Sequence, residues 1–487
     1  MTDDVLLQGW GRSTGSRSRV RGPLDPAALR ALLADPPAGG VLARGAGCSY
    51  GDAAQNAGGL VLTPATPADL RLDVLGGTVR AAGSVGFDRL LAAVVPEGLL
   101  PPVLPGTSRL TLGGAIACDV HGKNQRTDGS IGDWLESIEL LDGTGEVHLL
   151  TPDQDPEGFA ATIGGMGLTG IILAATLRLI PIGSDRLQVS SRRAGHLDAL
   201  LAELDAASRS SRYAVAWIDT TASGPALGRG IVDRGDHLDG GDHADGGAHA
   251  DGGAHADGGA HLGGGDHLDG GAHADGREHA GGGGSCRYAP ARAPRAPRLP
   301  VGPFTPLTAR AFNGLWYRRA PQERHAVQGL SEFFHRLDAV RDWNRALGPR
   351  GFLQYQFAVP EAAAPLLGEA LIALRRAGAA PFLGTVKRFG RTGRGPLSFP
   401  LPGWSLAVDL PVGNTLARAR LGPVLDRLDR RVAEAGGRIY LAKDARLGRV
   451  AFDAMYGPLD DWRAARARLD PAATMRSDLG RRLGLCP

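Results

Sequence analysis

Lysine is almost absent from this 487-residue sequence, where Lys123, Lys387 and Lys443 are the only three among 54 basic residues. A GC-rich genome replaces lysine by arginine wherever a positive charge is all that is needed, which would leave three by chance. Alternatively, an ammonium group is required at these places, because the guanidinium group of arginine is larger and does not lose its proton. The three lysines are therefore candidates for chemistry.

Other absences narrow the class of protein. The four cysteines, Cys48, Cys118, Cys286 and Cys486, have no C-x-x-C spacing, which argues against a disulfide framework and a zinc knuckle and indicates a reducing compartment. No apolar run reaches the roughly 18 residues of a membrane-spanning helix, and residues 1–12 lack the apolar core of a signal peptide. We expect a soluble protein, cytoplasmic or peripheral at the plasma membrane, with the periplasmic face left open.

Aromatic residues make up only 5% of the chain, but 43% of its residues are hydrophobic, which is enough for real cores and excludes a wholly disordered or fibrous protein. Glycine, in contrast, is abundant at 73 residues, about twice its average usage. Nineteen of these glycines lie in residues 235–284, a six-residue repeat with units such as HADGGA that also holds eight of the 13 histidines.

The repeat tract at 235–284 differs from the rest of the chain. Nine aspartates and Glu278 against Arg277 give it a net charge of −9 and leave +12 on the remaining residues. Because it has almost nothing apolar larger than alanine, we predict a disordered loop that extends to about residue 300. A calcium-binding β-roll is disfavoured, since such repeats have nine residues. Loose binding of Ni²⁺ or Zn²⁺ by the histidines keeps a metal-binding protein as an alternative; elsewhere we predict no metal site.

The hydrophobic patterns predict a mixture of strands and helices. Strands are expected within 39–45, 59–64, 78–83, 137–150, 170–181, 351–360 and 404–411, and helices at 25–35, 87–98, 361–378 and 421–437. The predicted fold class is therefore α+β. No nucleic-acid module is visible, because the basic residues are not interleaved with aromatic ones, and the positive body better suits a phospholipid or a substrate phosphate.

Three glycine-rich segments indicate a bound dinucleotide: residues 40–52, 101–124 and 161–172. Glycine allows positive φ and lets backbone N–H groups converge on an anion such as a pyrophosphate. A Rossmann unit is disfavoured, because Tyr50 stands where the third glycine of its motif would be and no amphipathic helix follows.

Longer matches connect these segments to a known family. The sequence resembles flavoprotein oxidases of the vanillyl-alcohol oxidase type and, among them, the decaprenylphosphoryl-β-D-ribose 2′-oxidase family of actinobacterial cell-wall synthesis. The matches span nearly the whole chain except residues 185–300, and they are GWGR (9–12), ARGAGCSYGDAAQN (43–56), VLPGT (103–107), GGAIACDVHGKN (113–124), GLTGII (167–172), LWYR (315–318), WNRALGPRGFLQYQF (343–357), PLSFPLPGW (396–404) and YLAKDAR (440–446).

The resemblance implies a two-subdomain FAD-binding domain formed by residues 1–184 and 438–487, with a substrate domain on an antiparallel sheet inserted at 185–437. It implies oxidation of the 2′-hydroxyl of a lipid-linked ribose phosphate to a ketone, with quinone or oxygen as electron acceptor. A partner NADPH- or NADH-dependent keto-reductase would complete the epimerisation to the arabinose donor for cell-wall arabinan. A flavin oxidase of a soluble polyol or aldonolactone is the alternative.

The resemblance also implies roles for individual residues, and all three lysines are among them. Removing a hydroxyl proton during hydride transfer suits a lysine, and a phosphate needs cations. The catalytic set is Lys443, Gln356, Tyr317 and His121, and the substrate-binding set is Tyr50, Lys123, Gln354, Lys387 and Ser405. The FAD-binding set is Arg44, Gly45, Ala46, Gly47, Cys48, Ser49, Tyr50, Gly106, Thr107, Gly113, Gly114, Ala117, Cys118, Gly122, Asn124, Gly167, Gly170, Ile171, Tyr440, Ala442 and Lys443.

The chain departs from the family's pattern at two places. Cys48 stands where the ribose oxidases usually have arginine and where more distant flavoproteins carry a histidine bound covalently to the flavin, so we expect FAD to be held without a covalent bond. Ser405 and Ala407 stand where the family has asparagine and cysteine. His121 as a purely structural residue, and Gln354 and Gln356 as one face of a strand, remain the plainer alternatives.

Overall fold

Mixed and antiparallel sheets organise the chain in a computed structural model that describes residues 4–64, 69–239, 286–288, 293–379, 381–412 and 415–487. The strands of this described part are β1 (Asp4–Gln8), β2 (Gly15–Leu24), β3 (Val41–Ala43), β4 (Leu60–Pro64), β5 (Leu70–Asp73), β6 (Thr78–Ala82), β7 (Leu99–Leu100), β8 (Leu135–Leu141), β9 (Val147–Leu150), β10 (Ile171–Arg178), β11 (Ile180–Pro181), β12 (Arg186–Ala194), β13 (Tyr213–Ile218), β14 (Gly230–His237), β15 (Glu323–Gly329), β16 (Phe352–Val359), β17 (Leu383–Phe389), β18 (Gly403–Pro411) and β19 (Arg438–Ile439).

Helices connect and cover these strands. They are α1 (Pro26–Ala34), α2 (Phe87–Val94), α3 (Leu112–Ala117), α4 (Gln125–Asp128), α5 (Pro156–Thr162), α6 (Leu197–Ser210), α7 (Pro306–Arg319), α8 (Leu330–Phe334), α9 (Pro365–Arg376), α10 (Thr415–Glu434), α11 (Arg449–Tyr456), α12 (Asp460–Leu469) and α13 (Asp478–Leu483). The predicted α+β class is confirmed, and each predicted strand and helix coincides with an element of this structure.

Two sheets are formed before residue 180. One has the order β1-β2-β4-β3, in which β4 runs parallel to β2 and β3, and the other has the antiparallel order β5-β6-β10-β8-β9. Helix α1 begins at the N-cap Asp25, whose carboxylate accepts a hydrogen bond from the amide of Ala28, and it buries Leu29 and Leu33 beside the first sheet. The glycine-rich loops lie between these elements.

The largest sheet is antiparallel and has the order β15-β12-β14-β13-β17-β18-β16-β19. Side chains alternate between its two faces. One face contributes apolar side chains to a core shared with helices α6, α9 and α10: Tyr355, Phe357, Val386, Leu406, Val408 and Leu410. The opposite face carries the intervening residues of β16, β17 and β18, and in this register Gln354 pairs with Asp409 and Lys387 with Ser405.

The prediction of a disordered loop over 235–300 was wrong at both ends. Strand β14 continues to His237, which pairs with Leu187, and the carboxylate of Asp236 accepts a hydrogen bond from the amide of Arg212. At the far end, Cys286 and Ala296 are buried. The first residues of the tract are ordered because they pair with strand β12, and the composition of the repeat does not predict this pairing. Residues 240–285 and 289–292 lie outside the described part of the chain, and so do most of the repeat histidines.

No helix of the described residues is both long enough and apolar enough to cross a membrane.

Candidate active site

A cavity of about 410 Å³ lies between the glycine-rich loops and the polar face of the large sheet. The walls are formed by residues 43–50, 104–114 and 166–172, and by the polar side chains of β16–β18. Residues 440–443 close it on a further side. Its volume is in the usual range for cofactor and ligand sites.

Glycines let these loops pack closely against neighbouring parts of the chain, at positions where a side chain would not fit. A Cβ at Gly45 would lie 2.2 Å from the hydroxyl oxygen of Thr111, and one at Gly113 would lie 2.9 Å from the carbonyl oxygen of Gly83. Gly47 has a φ of +67°, which disfavours any residue with a side chain. Arg44 anchors this loop, because its guanidinium group donates to the carbonyl oxygens of Gln8 and Ala54.

Lys443 projects from the turn after β19 onto the ring of Tyr50. Its ammonium nitrogen lies 3.6 Å from the ring centroid, and the amide of Tyr50 donates to the carbonyl oxygen of Ala442 at 2.9 Å. Burial lowers the pKa of Lys443 below its ordinary value, while the carboxylate of Asp409 opposes that shift. Lys443 is therefore better suited than an exposed lysine to accept a proton.

His121 lies among the aromatic rings of Phe389, Phe399 and Tyr440. The side-chain amide nitrogen of Gln356 lies 3.3 Å from Nε2 of His121, and Nδ1 of this buried histidine has no protein partner in the described chain. Burial lowers its pKa well below the ordinary value, and Lys387 and Lys443 lower it further. The imidazole is therefore neutral at physiological pH.

The other two lysines also reach the cavity. Burial lowers the pKa of Lys387 to about 8, with an additional contribution from the charge of Lys443. Lys123 donates to the carbonyl oxygen of Phe333 and lies 3.8 Å from the centroid of that ring, and burial lowers its pKa well below the ordinary value. Three chain segments far apart in sequence thus bring the three lysines of the protein to one cavity.

Comparisons with known proteins identify the family. Residues 21–151 match the family model for an FAD binding domain. Decaprenylphosphoryl-beta-D-ribose oxidase of Mycolicibacterium smegmatis is 38% identical over 492 residues, which cover 99% of this chain and 98% of that protein. The chain belongs to the decaprenylphosphoryl-β-D-ribose oxidase family. An uncharacterised Streptomyces coelicolor protein is also 38% identical over 82% of this chain and 100% of its own length.

More distant relatives share only part of the chain. An alditol oxidase of a Streptomyces species is 28% identical over 180 residues, which cover 36% of this chain and 42% of that protein. The cofactor of this member of the ribose oxidase family is FAD.

The residues around the cavity fit FAD. A Cβ at Gly106 or at Gly167, two glycines of the cavity wall, would meet no protein atom within 4 Å, so open space lies beside both loops. The buried hydroxyl of Ser84 and the imidazole of His121 each present a polar atom without a protein partner among the described residues. Sequence reasoning missed Ser84, because one serine in a Gly-Ser turn carries no distinctive signal.

Most of the residues predicted for the site line the cavity together. The predicted set found there is Arg44, Gly45, Ala46, Gly47, Cys48, Ser49, Tyr50, Gly106, Thr107, Gly113, Gly114, Ala117, Cys118, His121, Lys123, Gly167, Gly170, Ile171, Gln354, Gln356, Lys387, Ser405, Tyr440, Ala442 and Lys443.

Three predicted residues do not line it. The hydroxyl of Tyr317 donates to the carbonyl oxygen of Ala194, and its ring packs against the guanidinium groups of Arg193 and Arg229, so its assignment as a catalytic residue is corrected. Gly122 and Asn124 lie behind the cavity wall. The side-chain amide nitrogen of Asn124 donates to the carbonyl oxygen of Pro102, and a Cβ at Gly122 would lie 3.0 Å from the carbonyl oxygen of Leu104, so both support the loop that carries Leu104.

Two acidic residues of the site were not predicted. Asp409 is buried on the polar face of β18, where Oδ1 accepts a hydrogen bond of 2.6 Å from Gln354 and Oδ2 has no protein partner in the described chain. Burial raises its pKa. The alternation in WSLAVDLP was the available signal, since it places Asp409 on the face of Ser405. Asp338 accepts hydrogen bonds from Thr107 and Ser108, a contact across 230 residues that no local pattern reveals.

Proposed function

We propose that this protein uses FAD to oxidise the 2′-hydroxyl of a polyprenyl-phosphoryl-β-D-ribose to the 2′-ketone. The observation that carries the proposal is the cavity in which Lys443, Gln356 and His121 face the glycine-rich loops of an FAD-binding chain. The name of the Mycolicibacterium relative, which matches over nearly its whole length, supports the same substrate. The reaction is the first half of the epimerisation that yields the arabinose donor for cell-wall arabinan.

The chemistry divides between the cofactor and the protein. FAD, when bound, supplies the group that accepts a hydride from the alcohol carbon. Lys443 accepts or polarises the hydroxyl proton as that carbon is oxidised, since its lowered pKa makes the neutral amine accessible. Gln356 orients the sugar, because its amide is held by His121 and by the hydroxyl of Ser405 at 3.4 Å.

The phosphate of the substrate is assigned to the other lysines. Lys387 and Lys123 line the same cavity and supply the cations that an anionic group requires. The ring of Tyr50, fixed by its edge-on contact with Phe352 at 5.4 Å, forms the wall of the sugar pocket beneath Lys443.

We also propose how the chain divides into domains and which proteins and electron acceptors act with it. Residues 1–184 and 438–487 form the FAD-binding domain with its two subdomains, and residues 185–437 form the substrate domain on the large sheet. A keto-reductase that uses NADPH or NADH completes the epimerisation, and a quinone or oxygen reoxidises the flavin. The protein works in the cytoplasm or peripherally at the plasma membrane, with either face of that membrane left open.

The test is the flavin spectrum of the purified protein. Anaerobic addition of polyprenyl-phosphoryl ribose is expected to bleach the flavin absorbance, and a quinone is expected to restore it. Soluble polyols and aldonolactones serve as competing substrates. Bleaching by a free polyol but not by the lipid-linked ribose would replace the proposal by that of a soluble-polyol oxidase.

Asp409→Asn is expected to shift the pH dependence of flavin reduction to lower pH. The Asp409 carboxylate raises the pKa of Lys443 against the effect of burial, so its removal lets Lys443 lose its proton at a lower pH. Rapid-mixing measurement of flavin bleaching at a series of pH values reports the midpoint. Asp338→Asn changes a carboxylate that does not act on Lys443 and should leave the midpoint in place; an unmoved midpoint in D409N would contradict the proposed coupling.

FAD is expected to leave the denatured protein completely. Burial raises the pKa of the Cys48 thiol to about 11, so the thiol stays protonated at neutral pH and is a poor nucleophile. Acid precipitation should therefore give a colourless pellet and a yellow supernatant, both for the native chain and for Cys48→Ser. A pellet that stays yellow in the native chain and turns colourless in C48S would establish a covalent bond at Cys48.

A further inference from the structure

Helix α7 and the segment before it form an apolar surface exposed to solvent. Five large apolar side chains are exposed here: Val301 (75%), Leu307 (77%), Phe312 (44%), Leu315 (52%) and Trp316 (50%). Phe312 and Trp316 are the exposed phenylalanine and the exposed tryptophan of the described residues. We call these five residues, together with Arg310, Arg318 and Arg319, the α7 surface. Large apolar side chains exposed within one short stretch of chain mark a site of interaction.

The charged side chains of α7 and of the segment before it are all basic. Residues 286–322 contain seven arginines and no aspartate or glutamate. The guanidinium groups of Arg310, Arg318 and Arg319 form no ion pair within the described residues, whereas most buried or half-buried arginines of the protein do. A surface with unpaired cations beside exposed apolar side chains fits an anionic partner that is itself partly apolar.

The orientation of α7 places these side chains outward. The helix contacts the protein along a narrow stripe, in which Ala309 and Asn313 are buried. Ala309 and Asn313 are four residues apart and therefore share one face of the helix. Leu307, Leu315 and Arg318 lie on the opposite face. The helix therefore lies flat on the protein with leucine and arginine directed away from it.

A continuous row of aromatic rings connects the α7 surface to the cavity. It begins at Tyr50 in the cavity wall and ends at the exposed Trp316. The consecutive centroid distances are 5.4 Å for Tyr50–Phe352, 5.8 Å for Phe352–Phe382, 4.5 Å for Phe382–Phe304, 5.8 Å for Phe304–Phe312 and 6.4 Å for Phe312–Trp316. Apolar side chains thus extend from the proposed sugar pocket to the exterior.

We propose that the α7 surface docks on an anionic phospholipid bilayer. Leucine and aromatic side chains on a flat helix enter the boundary between headgroups and acyl chains, while arginines at its edges bind lipid phosphates. The preference for a bilayer over a protein partner rests in part on the proposed function, because a substrate with a polyprenyl chain is delivered from a bilayer. The aromatic row then connects the α7 surface to the wall of the proposed sugar pocket through directly packed rings.

The test is co-sedimentation of the full-length flavoprotein with vesicles. We expect binding to vesicles of phosphatidylcholine mixed with phosphatidylglycerol and much weaker binding to pure phosphatidylcholine. R318Q/R319Q should weaken binding by about 30-fold, since each arginine near an anionic surface contributes about 1 kcal/mol. L315Q/W316Q should weaken it by about tenfold or more through loss of buried apolar area. Added salt should reduce the difference between the two vesicle types, because it screens the arginines from the lipid phosphates.

Matched controls use equally exposed side chains elsewhere. V74Q/L75Q removes two exposed apolar residues, and R375Q/R376Q removes two exposed arginines at the end of α9; both should bind vesicles like the unchanged protein. Equal binding by all four variants, or no vesicle binding by the full chain, would overturn the proposal. So would a dimer in sedimentation velocity that L315Q/W316Q converts to a monomer, because the surface would then be an interface between two copies.

Vesicle binding is measured separately from oxidation of the substrate. Flavin bleaching by a water-soluble, short-chain ribosyl phosphate ester should be the same in all these variants. Loss of vesicle binding with intact bleaching in R318Q/R319Q supports the docking surface. Intact vesicle binding without bleaching in the unchanged protein would overturn the proposed function and leave the docking surface standing.

Discussion

Lys443→Met is expected to slow flavin reduction by the lipid-linked ribose by about three orders of magnitude, within the range in which positioned acids and bases act. The ammonium group of Lys443 lies 3.6 Å from the ring of Tyr50 inside the cavity, and methionine of similar length fills that place without a proton acceptor. Single-turnover bleaching with saturating substrate measures the step directly, and the flavin spectrum checks that FAD is still bound.

Lys387→Met is the matched comparison, because Lys387 lines the same cavity and its pKa is lowered by burial as well. As a proposed phosphate-binding residue it should raise the substrate concentration needed for half-maximal bleaching and change the saturated rate by less than about tenfold. Lys443→Arg keeps the charge but does not take up a proton, and should remain slow at every pH. Near-normal bleaching in K443M would refute the role of Lys443.

Arg482→Met is expected to lower the free energy of unfolding by about 3–5 kcal/mol, the usual result of removing one partner from a buried ion pair. Arg482 binds Asp52 through two hydrogen bonds of 2.7 and 2.9 Å and Asp444 through one of 2.8 Å. Both carboxylates are buried, so the variant leaves them without their cation. Urea unfolding followed by tryptophan fluorescence measures the loss.

The same variant should also release FAD more readily. Asp444 follows Lys443, and a Cβ at Gly51 would lie only 1.8 Å from the carbonyl oxygen of Asp444, so Arg482 holds the two cavity walls together at their closest contact. Arg463→Met serves as control, because Arg463 pairs at 3.5 Å with an exposed Asp460 and should change stability by less than about 1 kcal/mol. Comparable losses in R482M and R463M would exclude this account.

Local patterns predicted the elements of the site better than its contacts. The alternation in FLQYQF places Gln354 and Gln356 on one face of β16, and the structure has both in the cavity wall. The scarcity of lysine identified Lys123, Lys387 and Lys443, which the fold brings together. Each of these signals is carried by neighbours in sequence or by residue type alone.

What sequence did not reveal depends on tertiary packing. The contact of Asp338 with Thr107 joins segments 231 residues apart, and no spacing encodes it. Tyr317 was assigned to the cavity through its motif, but the face that α7 turns toward the sheet decides its place, and there it bonds to Ala194. For the same reason, pairing of β14 with β12 ordered the first residues of a tract whose composition predicts disorder.

Residues 440–443, which close the cavity, are synthesised late. Those residues, and Met475, which pairs with Val41 of β3, are translated after every other wall of the cavity. While the chain is still being made, the glycine-rich loops are present but Lys443 and Tyr440 are not. The cavity is therefore completed by a segment that is synthesised late, and a chain that stops before residue 440 lacks Lys443 and one wall of the cavity.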